Sequence, residues 1–294
     1  MRFSLALSFI VTAAATCAFS QEPPSLPAAP TAPPPLENTG KPITVPFQCT
    51  DADIQSAGLS CTDEDPCLMY LELSAVDAAG SRILAAGNLH TSAVTLYSIL
   101  LGSEDGGRTW VEPHARIRAA GLDHLQFLDP TIGWASGQIV SPLPQEPFLL
   151  VTQDGGKSWR QRPILSESAE NRLGTVQQFS FTAKDSGSLI IDRGPGSGDD
   201  RYELYESPDT GENWTIKESS NKPLRLKRPP PAPSPDWRIR ADARTQAYQI
   251  EHRVSEKWSS TAAFSVKLPV CRPQPPPPPP PAETAKPDGA PAGK

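Results

Sequence analysis

An all-β fold of repeated antiparallel sheets set around an axis is what this sequence predicts, and three observations carry that prediction. One eight-residue pattern occurs three times: Ser103-Glu104-Asp105-Gly106-Gly107-Arg108-Thr109-Trp110, Thr152-Gln153-Asp154-Gly155-Gly156-Lys157-Ser158-Trp159 and Ser207-Pro208-Asp209-Thr210-Gly211-Glu212-Asn213-Trp214. Its aspartates lie 49 and 55 residues apart, a period that suits repeated sheets around an axis. A strand-sized apolar run precedes each copy, at Leu96 to Leu101, Phe148 to Val151 and Tyr202 to Tyr205.

The shared template, Ser/Thr-x-Asp-x-Gly-x-(Thr/Ser/Asn)-Trp, reads as a hairpin tip. A short Asp side chain accepts bonds from backbone N–H groups just ahead of it and locks the turn. Gly107, Gly156 and Gly211, two residues later, then take a positive φ without a Cβ penalty. Trp110, Trp159 and Trp214 start the return strand and cover the turn with their rings. These residues resemble the Asp-box, or bacterial-neuraminidase repeat, of sialidases, sortilin-type receptors and the photosystem II assembly-factor-like family. Phe127-x-Asp129 followed by Gly133-Trp134 is similar to hairpins of the last of these. The resemblance implies a small β-propeller with four antiparallel strands per blade. In it the box joins the third and fourth strands at the outer rim, and active sites, where such folds have them, lie at the axis. Asp105, Asp154 and Asp209 are therefore expected to build turns, held too far apart for a carboxylate or metal cluster.

The flanks read differently. Arg2, the apolar run Phe3 to Ala15 and Ala18-Phe19-Ser20 predict a signal peptide over 1–20, cleaved after Ser20 and too short to span a membrane. Ala14-Ala15-Thr16 is a poor lipobox for Cys17. Residues 21–46 and 272–294 are Pro-rich, the second with seven consecutive prolines from Pro275 to Pro281, and are expected to be disordered. Residues 47–271 are left for the propeller, of four to five blades. The first unit runs from Leu68 to about Pro113, with strands at Ile83 to Leu89 and Thr95 to Leu101. The second runs from Leu122 to Pro163 and the third from Val176 to Ser220. A fourth, degenerate unit holds Asp236-Trp237-Arg238-Ile239-Arg240 and Ala247-Tyr248-Gln249-Ile250. Its turn before Trp258 lacks both Asp and Gly and is read as a box hairpin that kept its Trp. Residues 47–67 are a candidate strand of a closing or fifth blade.

Without Cys17 in the signal, four cysteines remain, an even number in an exported chain, which predicts two disulfides. Of three connectivities the favoured one is Cys61 with Cys67 and Cys49 with Cys271, since the second pair brackets the folded region. The overall charge of −6 hides an asymmetry. Residues 47–214 hold 11 Lys/Arg against 24 Asp/Glu, and residues 215–271 hold 11 against 5. A basic sector follows, with Lys222, Arg225, Lys227, Arg228, Arg238 and Arg240 as candidate contacts for an acidic partner. An acidic exported chain with no recognised binding motif is not expected to bind nucleic acid.

Catalytic templates are missing. There is no Gly-x-Ser-x-Gly, no His-Glu-x-x-His and no phosphate-binding loop. Sialidases are similar to one another in an Arg-Ile-Pro motif near the start, whereas here Ala115-Arg116-Ile117-Arg118 follows the first box. Arg201-Tyr202-Glu203 has suitable residue types, but neighbours in a strand point to opposite faces. Gly194-Pro195-Gly196-Ser197-Gly198-Asp199-Asp200 lacks the spacing of a calcium loop. His90, at a strand end, is the histidine expected nearest a pocket. The expectation is a secreted or periplasmic, non-enzymatic binding or assembly protein, without cofactor, whose partner is another protein or an envelope component. The alternatives are a sialidase-like glycoside hydrolase and a carbohydrate-binding module.

Overall fold

In the computed structural model the described residues, 33–140, 145–165, 173–197, 200–226 and 236–273, form four antiparallel sheets that follow one another along the chain. A two-stranded pair joins β1 (Leu36–Glu37) to a later short strand, and one helix, α1 (Asp51–Ser56), precedes the first sheet. Sheet I is β2 (Tyr70–Ala79), β3 (Arg82–His90) and β4 (Thr95–Ser103), after which β5 (Thr109–Trp110) pairs with β1. Sheet II is β6 (Ala120–Phe127), β7 (Gly133–Ile139), β8 (Gln145–Thr152) and β9 (Arg160–Pro163). Sheet III is β10 (Thr175–Ala183), β11 (Ser186–Asp192), β12 (Tyr202–Ser207) and β13 (Thr215–Ser220). Sheet IV is β14 (Trp237–Asp242), β15 (Ala247–Val254) and β16 (Lys257–Ser265). The three expected units map onto sheets I to III. The expected signal peptide, residues 21–32 and residues 274–294 lie outside the described residues. Among those described, no helix is long and apolar enough to cross a membrane.

Strand patterning explains the layering. Along β3, Ile83, Ala85 and Leu89 enter the core shared with sheet IV, whereas Leu84 and Ala86 enter the core shared with sheet II. Along β8, Phe148 and Leu150 face sheet I, and Leu149 and Val151 face sheet III. A strand buried on both faces must be apolar throughout, which is why these runs do not alternate. The cores therefore place the sheets in the order IV, I, II, III. Side chains also clip neighbours together: Asp77 of β2 accepts from the Phe127 N–H at 2.8 Å, and Gln126 of β6 exchanges two bonds with the Phe181 backbone, at 2.8 and 2.9 Å.

Three expectations need correction. The linker expected over 21–46 ends early, because Leu36 and Glu37 pair with Trp110 and Thr109, and Ile43 and Val45 are buried in the core between sheets IV and I. Apolar residues at every second position there suit an added strand, and Ile43 pairs in parallel with Phe264 of β16. Residues 47–67 consequently supply no sheet strand. They form α1, capped by Thr50, whose Oγ1 accepts from the Asp53 N–H while Asp53 accepts from the Thr50 N–H. Finally, Trp258 does not mark a box. Ser255 and Glu256, both at positive φ, make a two-residue turn between the second and third strands of sheet IV. The box position, after the third strand, is vacant there because the chain leaves at Ser265 to bond with Met69 and Cys67.

Both disulfides connect as expected, Cys61–Cys67 across 6 residues and Cys49–Cys271 across 222.

A central cavity lined by the first strand of every sheet

The first strands of all four sheets converge on one cavity of about 360 Å³. Ser74, Ala75 and Val76 come from β2, Asp123 to Gln126 from β6, Phe179 from β10, and Trp237, Arg238 and Ile239 from β14. Two of these strands carry a bulge at the cavity. The register of β2 against β3 skips between Leu73 and Ala75, and that of β6 against β7 between Leu122 and His124. Each bulge re-aims one extra residue, Ser74 or Asp123, out of the ladder. Glycine on the neighbouring strand makes room for it: a Cβ at Gly87 would stand 2.0 Å from the Glu72 carbonyl oxygen, and one at Gly137 2.0 Å from that of Gly121.

Most polar groups of the lining are committed to the protein. Ser74 Oγ donates to the carbonyls of Ala86 and Leu122, and Gln126 serves the Phe181 backbone. Arg238 donates through Nε to Glu251 at 2.7 Å, and its guanidinium lies 4.0 Å over the Trp258 ring. Arg240 binds the other oxygen of Glu251 at 2.9 Å. Burial works against the Glu251 anion, but the bonds from Arg240 and Arg238 outweigh it and hold its carboxyl below the usual range. His124 shares a hydrogen bond with Ser136 Oγ through Nδ1. Burial pushes its imidazole below the usual histidine value, against the opposing charge of Asp123. Asp123 Oδ2 accepts from Gln138 Nε2 at 2.6 Å.

The residues singled out in the sequence fall elsewhere. Each eight-residue turn has one bonding scheme. Ser103 Oγ donates to Asp105 and accepts from the Gly107 N–H, Asp105 accepts from the N–H groups of Arg108 and Thr109, and Trp110 Nε1 donates to the Gly107 carbonyl. Thr152, Asp154, Gly156 and Trp159 repeat it, as do Ser207, Asp209, Gly211 and Trp214, except that the Glu212 N–H donates to the Asp209 backbone carbonyl. The glycines, at φ of 89°, 84° and 87°, also touch the preceding sheet. A Cβ would meet Thr261 of sheet IV at 2.5 Å from Gly107, Leu84 of sheet I at 2.8 Å from Gly156, and Leu149 of sheet II at 3.0 Å from Gly211. None of these turn residues lines the cavity. Lys222 and Arg225 are exposed beyond β13, Lys227 and Arg228 lie outside the described residues, and Arg238 and Arg240 are both ion-paired. His90 ends the second strand of sheet I beside Tyr70, and His124 is the histidine at the cavity. Sequence reasoning missed this lining; the glycines inside the apolar strands, Gly87 and Gly137, mark only the two bulges.

No protein-family model matches the chain, and no curated protein matches it. Similar solved structures include an α-L-arabinanase of Penicillium chrysogenum complexed with arabinobiose, at 15% identity and TM-score 0.36, covering 78% of this chain and 66% of that one. YCF48 from Cyanidioschyzon merolae is similar at 14% identity and TM-score 0.34, with 76% and 59% covered. The GH93 α-L-arabinofuranosidase of Fusarium graminearum with arabinobiose is similar at 15% and 0.36, with 77% and 65% covered. The chain spans 59% to 66% of the lengths of these three.

Proposed function

We propose that this chain is an exported, non-enzymatic binding or assembly protein, built as a propeller of four blades whose turns are Asp-boxes, and that its ligand enters the central cavity. The convergence of four first strands on one cavity carries this reading. Its walls combine apolar and aromatic side chains with a few convergent polar groups, the composition of a ligand pocket. The two disulfides suit an oxidising compartment, secreted or periplasmic. Lys222 and Arg225, exposed and unburdened by ion pairs among the described residues, form a flanking contact for an acidic surface of the same partner. A glycoside hydrolase at this place would set a second carboxyl opposite Asp123, where the lining instead presents Phe179, Trp237 and Ile239.

The test is capture of an envelope component by the mature protein and by Ser74→Phe, which fills the cavity from an exposed position. Loss of capture by Ser74→Phe, with its melting temperature within a few degrees of the parent, supports the reading. Undiminished capture contradicts it. Release of aglycone from a panel of aryl glycosides by the parent protein would establish the hydrolase instead.

A further inference from the structure

We propose that the ligand of the central cavity is an organic ammonium ion with an apolar body, and that Asp123 supplies its counter-charge. This rests on the cavity being the binding site. Ser74 and Gln126 are satisfied by backbone groups of the protein. Arg238 has its own counter-ion in Glu251, and Arg240, which shares that carboxylate, is further offset by Asp242. His124 has its Nδ1 on Ser136, and its burial favours the uncharged ring. Among the described residues Asp123 supplies the one carboxylate of the lining. Gln138 Nε2 engages Oδ2, and among the described residues Oδ1 has no hydrogen-bond partner. A half-buried carboxylate with an open oxygen is stabilised by an ammonium donor and repels an anion.

The rest of the lining selects the body of the ligand. Val76, Leu125 and Ile239 offer apolar wall, and Phe179 and Trp237 offer aromatic surface, which favours both alkyl stems and cations. A volume of about 360 Å³ admits a small molecule or one long side chain. Asp123 reaches this space because the β6 bulge turns it out of the ladder, so the charge is placed by the backbone and needs no rearrangement on binding.

Three probes of one shape separate the possibilities: phenethylammonium, 2-phenylethanol and phenylacetate, titrated by calorimetry and by chemical-shift mapping of the Trp237 indole N–H. The expected order is phenethylammonium tightest, by roughly tenfold or more over the alcohol, with phenylacetate weakest. Asp123→Asn, which keeps an acceptor for Gln138, should make the ammonium and the alcohol equal. Equal binding of ammonium and alcohol to the parent, or a preference that survives in Asp123→Asn, overturns the ammonium inference. If the alcohol then binds the parent but not Ser74→Phe, the cavity stands as the site and only the ligand class falls. Failure of all three probes to bind overturns the ammonium inference, while the capture experiment judges the cavity separately.

Discussion

Asp105, Asp154 and Asp209 each close a turn within five residues of chain, and their chemistry follows from that. The N–H and hydroxyl of Thr109 hold the Asp105 carboxyl well below the usual range. At Asp154, burial acts the other way, but the hydroxyl and N–H of Ser158 and their neighbours outweigh it and bring the value to about 2. The Asn213 side chain likewise holds the Asp209 carboxyl below the usual range. Because these folded-state values are depressed, the stabilisation is fully present above the unfolded value of about 3.9 and is lost as pH falls toward 2. Thermal melts between pH 5 and 2 should show a falling melting temperature in the parent. The same decline should be shallower in a variant with all three aspartates changed to Asn. These turns were legible in the sequence because every partner lies within a few positions. The second task of their glycines was not, since Thr261, Leu84 and Leu149 come from another sheet. Gly107→Ala meets both the positive φ and Thr261, and should cost about 1–3 kcal/mol in a denaturant titration.

Strand positions for sheets I to III were legible as well, because runs such as Ile83 to Leu89 and Phe148 to Val151 are apolar enough to fill cores on two faces. What the runs conceal is one extra residue. A bulge at Ser74 or Asp123 leaves the apolar pattern of its strand nearly intact, and only the facing glycine betrays it. Gly137→Ala would push a methyl group into the Gly121 carbonyl and should cost about 2–3 kcal/mol, read by the same titration. A conservative change on the exposed face of β13, such as Lys217→Gln, should shift stability by less than about 0.5 kcal/mol. Trp258 was misread at this scale for a physical reason. A Trp after a tight turn looks alike whether the turn precedes a third or a fourth strand, and here its ring serves Arg238 and Arg253.

Across the molecule, the segment from Leu36 to Cys49 stitches sheet I to sheet IV. β1 pairs with β5 just after sheet I, Asn38 Nδ2 donates to the carbonyls of Gly107 and Thr261, and Ile43 pairs with Phe264. The Cys49–Cys271 bond then ties this segment to the end of the described fold. Its loop is long, so replacing both cysteines by Ser should lower stability by about 3–5 kcal/mol, with a visibly lower melting temperature than the Cys61/Cys67 double variant. The number of disulfides was readable from the even cysteine count, and their pairing from the way Cys49 and Cys271 bracket the expected fold, whereas the stitch was hidden by its proline-rich composition. The cavity was hidden for another reason, since its lining is scattered from Ser74 to Ile239 and is assembled only by the order of the sheets.

Hydrogen exchange tests that assembly most directly, comparing the free protein with its complex with the captured envelope component. Concerted protection of 74–76, 123–126, 179 and 237–239, four stretches distant in sequence, is the predicted result. Protection confined to 217–226, with those four unchanged, would contradict the account.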